Sequence, residues 1–183
     1  GKLGVTDANG NSEALELPGA EYIYGVCENG DTLAVLAGAD PLFFAGTDDE
    51  QSVQASGDDG HAIYLYDETG HLTGSIPLAE RCADAPYALD SDGTDYFILF
   101  SDAAVRVGSD GTQLAKSGDM GGRLLQLACA DGAVYVCVEG DRIYQTEKVV
   151  RLNAQTLEPE AELSCAGLDV QGMGTAADGT LLL

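Results

Sequence analysis

The sequence predicts an all-β, antiparallel domain, and two features of its 183 residues carry that prediction. First, Asx–Gly pairs recur between apolar segments, and such pairs accept the positive φ that a tight hairpin turn requires. Second, no window shows a capped apolar stripe with a 3.6-residue period, so we expect helices to be almost absent. The chain is therefore expected to fold as a series of hairpins.

Two families of turns alternate along the chain. The first family joins pairs of apolar strands at Asn29-Gly30, Asp92-Gly93, Asp131-Gly132 and Asp178-Gly179. The second family lies between them, at Asp7–Gly10, Asp67–Gly70, Ser109–Gly111 and Asn153–Thr156. Their alternation indicates about four strands in each period of roughly 40–45 residues, which is typical of a propeller blade. The predicted fold is thus β-propeller-like, with four-stranded antiparallel blades.

The strands of one blade are named A to D in chain order. Complete blades are predicted at 22–78, 87–116 and 124–163, with a half-blade at each end: a C–D hairpin over 3–17 and an A–B hairpin over 168–183. The predicted strands are 22–27, 33–37, 62–66, 72–78, 96–101, 105–108, 112–116, 124–129, 133–138, 149–152 and 157–163. We expect residues 1–183 to form a single domain.

The two half-blades have complementary missing parts. Pairing of residues 3–17 with residues 168–183, within one chain or between two chains of a homodimer, would cover the apolar Leu181–Leu183 edge. Natural sheets avoid leaving such an edge exposed. Two arrangements remain open at this point: a ring of about four blades with one composite blade, or part of a larger propeller.

Charge excludes some classes of partner. Eight Lys and Arg residues stand against 31 Asp and Glu residues, so the net charge is −23 and the isoelectric point is about 4.1. A surface this acidic repels phosphate backbones and anionic lipids, so we expect no nucleic-acid partner. No apolar run reaches the 18 or so residues of a membrane span, so direct membrane insertion is not expected. The five cysteines, at positions 27, 82, 129, 137 and 165, are expected to be free thiols, mostly in the core.

No motif for catalysis or for a cofactor is present. The sequence lacks a nucleophile elbow, a His-Glu-x-x-His motif, a P-loop and a dinucleotide-binding glycine pattern. The segment Asp90-Ser-Asp92-Gly93-Thr-Asp95 has the oxygen donors that calcium prefers, but a solvated hairpin turn uses the same residues. We therefore assign no catalytic residue, no metal ligand and no cofactor.

One face of the propeller is the candidate binding surface. The D-to-A connectors and the B-to-C loops leave the strands at the same end of each blade, so they should lie on one face. On that face the candidate ligand-binding residues are Phe43, Phe44, Arg81, Arg123, Arg142 and Tyr144. Arginines and aromatic side chains among carboxylates are typical of a surface that contacts a protein or a polar ligand.

The repeated units resemble those of bacterial extracellular β-propellers. The strand–Asx-Gly–strand units and the segment Ile63-Tyr-Leu-Tyr-Asp-Glu-Thr-Gly70 are similar to propeller regions of surface lipoproteins from gut Firmicutes, some of which are fused to solute-binding domains. The resemblance implies a location outside the cell or at the bacterial cell surface, and a role in binding or scaffolding. The chain has no Trp-Asp dipeptide and no sialidase-type box, so no functional residue carries over.

These observations together favour a noncatalytic extracellular binding or interaction module. Its ligand would be a protein or a glycan that the sequence does not identify. Two alternatives from other classes remain: a carbohydrate-active enzyme that uses paired carboxylates, and a calcium-stabilised structural domain.

Overall fold

The computed structural model describes residues 3–6, 10, 12–38, 61–78, 86–142, 145–165, 170, 172–176 and 180–183. Every regular element in these ranges is a β-strand. None of the described segments is a helix long and apolar enough to cross a membrane. The all-β prediction is confirmed.

Sixteen strands lie in the described ranges. They are β1 (Leu3–Thr6), β2 (Ser12–Leu15), β3 (Tyr22–Asn29), β4 (Thr32–Gly38), β5 (Ala62–Tyr66), β6 (Leu72–Pro77), β7 (Ala88–Ser91), β8 (Tyr96–Leu99), β9 (Ala104–Val107), β10 (Gln113–Lys116), β11 (Leu124–Ala130), β12 (Ala133–Glu139), β13 (Thr146–Asn153), β14 (Pro159–Ser164), β15 (Gly174–Thr175) and β16 (Leu181–Leu182). Ten of them contain β-branched or aromatic residues, which fit a pleated, half-buried surface.

Three four-stranded antiparallel sheets form three blades. Blade 1 is β3–β6, blade 2 is β7–β10 and blade 3 is β11–β14, and in each sheet neighbouring strands are also consecutive in the chain. The first strand of each blade is innermost and the last is outermost. Outer strand β14 is exposed at every position, whereas β12, an inner strand of the same blade, is mostly buried.

The innermost strands define a common axis. Strand β3 lies against β7, β7 against β11, and β11 against β15. Gly25 of β3 is so close to β7 that a Cβ atom on it would lie 2.5 Å from the backbone nitrogen of Leu89. Blades that radiate from adjacent inner strands make a β-propeller, so the predicted fold class is confirmed.

The hydrophobic core lies between blades. Strand β8 shows how, because all four of its side chains are buried. Tyr96 and Ile98 pack in the cluster shared with blade 1, while Phe97 and Leu99 pack in the cluster shared with blade 3. Successive side chains of a strand point to opposite faces, so one central strand serves both interfaces.

The half-blades pack on the two flanks of this arc. On blade 1, Leu15 of β2 is buried with Val35, and the Tyr64 hydroxyl donates a hydrogen bond to the carbonyl of Pro18 (2.8 Å). On blade 3, the Thr175 hydroxyl of β15 donates to the carbonyl of Cys129 (2.8 Å). Each hairpin is therefore anchored to a different blade.

The terminal hairpins form two separate two-stranded sheets, β1–β2 and β15–β16. The described part of one chain thus does not contain the expected pairing of residues 3–17 with residues 168–183. Pairing between two chains stays a prediction.

Several local predictions need correction. Positive φ at both central turn residues occurs at Asp131–Gly132, but Asn29 and Asp92 do not have positive φ. In blade 2 the reason is a longer connection, since Ser91 pairs with Tyr96.

The strand boundaries of blade 3 also differ from the prediction, most of all at the starts of β13 and β14. Strand β13 begins at Thr146, three residues before the predicted start at 149. Leu157 lies in the turn before β14 with φ +58° and is fully buried in the core between blades 2 and 3. Burial of its side chain offsets a backbone conformation that is unfavourable for leucine.

Candidate functional site

The connector face is the end of the propeller that carries the D-to-A connectors and the B-to-C loops. Pairing of Tyr22 with Gly38 puts the start of β3 and the end of β4 at this end of blade 1. In blade 3, Glu139 pairs with Thr146 at the same end. The strand register therefore puts the connectors and the B-to-C loops of blades 1 and 3 at one end of the propeller, as the sequence predicts. The opposite end carries the A–B and C–D turns.

Four of the six predicted site residues, Phe43, Phe44, Arg81 and Tyr144, lie outside the described residues. Arg123 and Arg142 are described. Both lie at the connector face, since Arg123 precedes β11 and Arg142 follows β12, the strand paired with β11.

Arg123 contacts an aromatic side chain of the neighbouring blade. Its Nη2 donates a hydrogen bond to the Tyr87 hydroxyl (2.7 Å), and its guanidinium carbon lies 5.1 Å from the centroid of that ring. Tyr87 is fixed just before β7, because its backbone nitrogen donates to the carbonyl of Leu99 (2.8 Å). The pair joins blades 2 and 3 near the axis. The guanidinium is attracted to the face of the tyrosine ring, so the contact helps to hold the two blades together.

Arg142 is exposed in the loop that follows β12. Its carbonyl accepts a hydrogen bond from Gln145 (3.1 Å), and Gly140 donates to the Gln145 carbonyl (3.1 Å). The loop backbone is therefore held at its base while the guanidinium faces solvent.

A groove of about 430 Å³ opens on the connector face of blade 3. It is lined by Gly121, Val138, Glu139, Glu147, Lys148, Glu162 and Ser164. Three glutamates and one lysine give it a polar, net acidic wall. The Lys148 ammonium lies 3.0 Å from a carboxylate oxygen of Glu162, so these two side chains form an ion pair within the groove.

The groove depends on a close approach of the connector to blade 3. A Cβ atom on Gly122 would lie 2.3 Å from the carbonyl oxygen of Glu139, so only glycine fits there without a shift. The backbone nitrogen of Glu139 also donates to the carbonyl of Arg123 (2.7 Å). The connector that holds Arg123 is therefore the same segment that walls the groove.

Sequence reasoning missed Tyr87, Glu147 and Glu162. Tyr87 had a detectable signal, because it lies six residues before the turn glycine Gly93, as Tyr24 does before Gly30. The sequence signal for the two glutamates was weaker, because it consists only of their positions at the connector-face ends of β13 and β14.

A polar cluster lies on the inner strands. Cys27, Asp90 and Cys129 each stand three residues before the glycine of an Asx–Gly turn, so they occupy equivalent positions in three blades. The Asp90 carboxylate accepts a hydrogen bond from the Cys129 backbone nitrogen (2.7 Å). Burial raises the pKa of the Cys27 thiol to about 12, and burial also raises the pKa of Asp90. Thiols in this state are protonated and are not nucleophiles at neutral pH.

The described cysteines are free. Cys27, Cys137 and Cys165 are buried and Cys129 is partly buried, whereas Cys82 lies outside the described residues. For these four, the expectation of free thiols is met.

The acidic segment at Asp90–Asp95 uses its carboxylates in three separate contacts. Asp92 accepts hydrogen bonds from the backbone nitrogens of Thr94 and Asp95 (both 2.9 Å). Asp95 forms an ion pair with Arg106, and Asp90 contacts Cys129 as described above. Across the described ranges, no group of three or more His, Cys, Asp or Glu side chains is arranged to hold a metal ion. Each carboxylate thus has a structural contact: Asp92 stabilises the turn, Asp95 pairs with Arg106 of β9, and Asp90 contacts the inner strand of blade 3.

No protein-family model matches the chain, and no curated protein sequence matches it either. Solved structures do match its fold. A protein of unknown function from Bacteroides caccae superposes with a TM-score of 0.60 at 12% identity, over 95% of this chain and 57% of that one. The computationally designed Ika8 protein gives 0.51 at 12%, over 87% and 44%, and the designed Ika4 protein gives 0.54 at 13%, over 93% and 95%.

At these identities the likeness shows the fold alone. The chain spans about half the length of two of the three matched structures and nearly all of the third.

Proposed function

We propose that this protein is a noncatalytic binding module whose ligand contacts the connector face between blades 2 and 3. The observation that carries the proposal is the polar groove of about 430 Å³ that begins two residues from the Tyr87–Arg123 pair. Cationic, aromatic and acidic side chains are then within one contact surface. A protein or a glycan with both hydroxyl and charged groups fits that chemistry.

The charge of the molecule narrows the class of ligand. With a net charge of −23, long-range repulsion opposes nucleic acids and anionic membranes. The arginines of the connector face add positive charge locally to a surface that is otherwise acidic. A ligand that is neutral overall, or that carries an ammonium group toward Glu139 and Glu147, meets no such repulsion.

The module acts outside the cell or at the bacterial cell surface. The resemblance of its repeated units to propeller regions of surface lipoproteins supports this location. Protease treatment of intact cells, followed by immunoblotting, tests it directly. Loss of the protein from intact cells is expected, and survival until the cells are lysed would contradict the location.

The binding proposal is tested by replacing Arg81, Arg123 and Arg142 with serine in one variant. Arg151→Ser is the matched control, because Arg151 lies on β13 near the opposite end and pairs with Glu160. Both variants and the parent are screened against bacterial and dietary glycans and against extracellular bacterial proteins. A parent ligand should lose at least tenfold in affinity for the triple variant and none for the control. A parent that binds nothing, or a triple variant that binds equally well, would refute the site.

A carbohydrate-active enzyme is the alternative, and the glutamates of the groove favour it specifically. Glycosidases use two carboxyl groups roughly 5–9.5 Å apart, one as an acid and one as a base or nucleophile. Glu139 and Glu147 are proposed as the reacting pair, because both line the groove and lie at adjacent positions of the paired strands β12 and β13.

Reducing-end release from the same glycan panel tests this alternative. Glu139→Gln and Glu147→Gln should each abolish release if the enzyme reading is right. Under the binding proposal, ligands remain intact with the parent protein.

A further inference from the structure

In the part of the chain that the structure describes, β1 and β16 are edge strands that are each paired on one side only. Sheets β1–β2 and β15–β16 have two strands each, whereas each blade has four. In the described residues β16 is hydrogen-bonded to β15 alone. Beside that edge, Leu182 and Leu183 are 55% and 51% exposed. An apolar, unpaired edge is a surface onto which another strand adds readily.

The two edges belong to complementary halves of a blade. The β1–β2 turn has the geometry of a C–D turn: Gly10 has φ +86°, and the corresponding Gly70 and Gly111 have +82° and +83°. Thr6 pairs with Ser12 across it, as Tyr66 pairs with Leu72 in blade 1. Strands β15 and β16 flank an Asp-Gly pair, as the A and B strands of the blades do. Joined edge to edge, β16 and β1 would complete one four-stranded blade.

The blades also determine the register of that junction. In blade 1, the third residue after the A–B turn glycine, Leu33, pairs with Tyr66, the fourth residue before the C–D turn glycine. In blade 2 the residues at the same two offsets, Tyr96 and Val107, are paired as well. Applied to the half-blades, the same count puts Leu182 opposite Thr6.

We propose that two copies of this chain assemble head to tail, with β16 of each copy paired to β1 of the other. A second copy is the partner that fits because the two hairpins are held on opposite flanks of one chain. Leu15 packs with Val35 on blade 1, and Thr175 bonds to Cys129 on blade 3. Two junctions of the same kind close the ring, so the assembly ends at two copies.

The number of blades in the resulting ring lies within the range that is usual for β-propellers. It contains three complete blades from each copy and two composite blades, which is at the upper end of the usual range of about 4–8 blades. Short and long chains both occur among the matched structures. The part that superposes on this chain is 95% of the Ika4 chain and 44% of the Ika8 chain.

Charge makes the assembly dependent on salt. Each copy carries −23, so repulsion between copies opposes association. The repulsion decays over a Debye length of about 10 Å at 0.1 M salt and about 3 Å at 1 M, so added salt should tighten the dimer. We expect the dissociation constant to fall several-fold as NaCl rises. An interface held by ion pairs would show the opposite trend.

The test is a cysteine cross-link at the deduced register, made in the full chain. Thr6→Cys with Leu182→Cys puts two thiols directly opposite each other, where strand partners are about 4.5–5.5 Å apart between Cα atoms, a distance a disulfide spans. Ser12→Cys with Leu182→Cys is the matched control, because Ser12 is one strand further away. Mild oxidation, non-reducing gels and light scattering report the products.

The expected result is a covalent dimer of twice the 18.9 kDa chain mass from the first variant and none from the control. The unmodified chain should sediment as a dimer that salt stabilises. An intramolecular disulfide in a monomer would overturn the second-copy assignment and indicate closure within one chain. A monomer without any cross-link, or equal cross-linking of the control, would overturn the junction itself.

Discussion

Replacing Gly25 by alanine should destabilise the protein, because the inner strands of blades 1 and 2 leave no room for a Cβ atom. The added atom would lie 2.5 Å from the backbone nitrogen of Leu89 and 2.8 Å from its Cβ. Neither neighbour is the flexible end of a side chain, so β7 must move away from β3. Overpacking of this kind costs about 1–3 kcal/mol, and more when backbone must shift.

Gly74→Ala is the matched control. Gly74 is also a strand glycine without positive φ, and a Cβ atom on it would meet nothing within 4 Å. Both substitutions reduce the entropy of the unfolded chain equally, which stabilises a protein by about 0.4–1 kcal/mol where the site accepts alanine. The control should therefore be neutral or slightly stabilising. Because the entropy gain is common to both variants, it cancels in the comparison, and their free energies of unfolding should differ by about 1–3 kcal/mol.

Urea unfolding followed by circular dichroism measures this difference, with equal denaturant slopes required for a valid comparison. In a chain of this length about 1 kcal/mol shifts the melting temperature by roughly 2–4 °C, so the two variants should melt about 6 °C apart. A Gly25→Ala protein as stable as Gly74→Ala would mean that β3 and β7 are not in contact in solution. The axial packing described here would then be wrong.

Three further predictions concern other contacts. Leu15→Ala should lower the free energy of unfolding by about 2–4 kcal/mol, because it removes a buried side chain that anchors β2 on blade 1; a loss below 1 kcal/mol in urea unfolding would contradict that anchoring. Asp95→Ala should lower it by about 3–5 kcal/mol, because Arg106 is mostly buried and would lose its ion-pair partner; the same variant in an Arg106→Met background should lose much less, and equal losses would argue against the pair. Asp90→Asn should reduce the pH dependence of stability. Burial raises the folded-state pKa of Asp90, so its contribution is present at acidic pH and is lost as pH rises through that folded pKa; parallel stability–pH curves for parent and variant would show that Asp90 is not buried.

Part of the candidate site could be predicted from sequence and part could not. The connector-face positions of Arg123 and Arg142 follow from strand ends, which the turn pattern locates within a few residues. The contact of Arg123 with Tyr87 does not follow, because these residues are 36 positions apart and belong to different blades. The groove likewise depends on the close passage of Gly122 over Glu139, which no local pattern encodes.

The sequence by itself determined the all-β class, the hairpins and the blade period. Those features depend on short-range chemistry: positive φ at Gly30, Gly70 and Gly93, and side chains that fit a pleated sheet. Only the tertiary structure decided which face of each strand packs against which neighbouring blade. It also decided that Leu157 is held buried in a left-handed turn, and that the terminal hairpins stay in separate sheets within one chain. The physical reason is that packing between blades joins residues far apart in the chain, and many different apolar patterns satisfy it equally well.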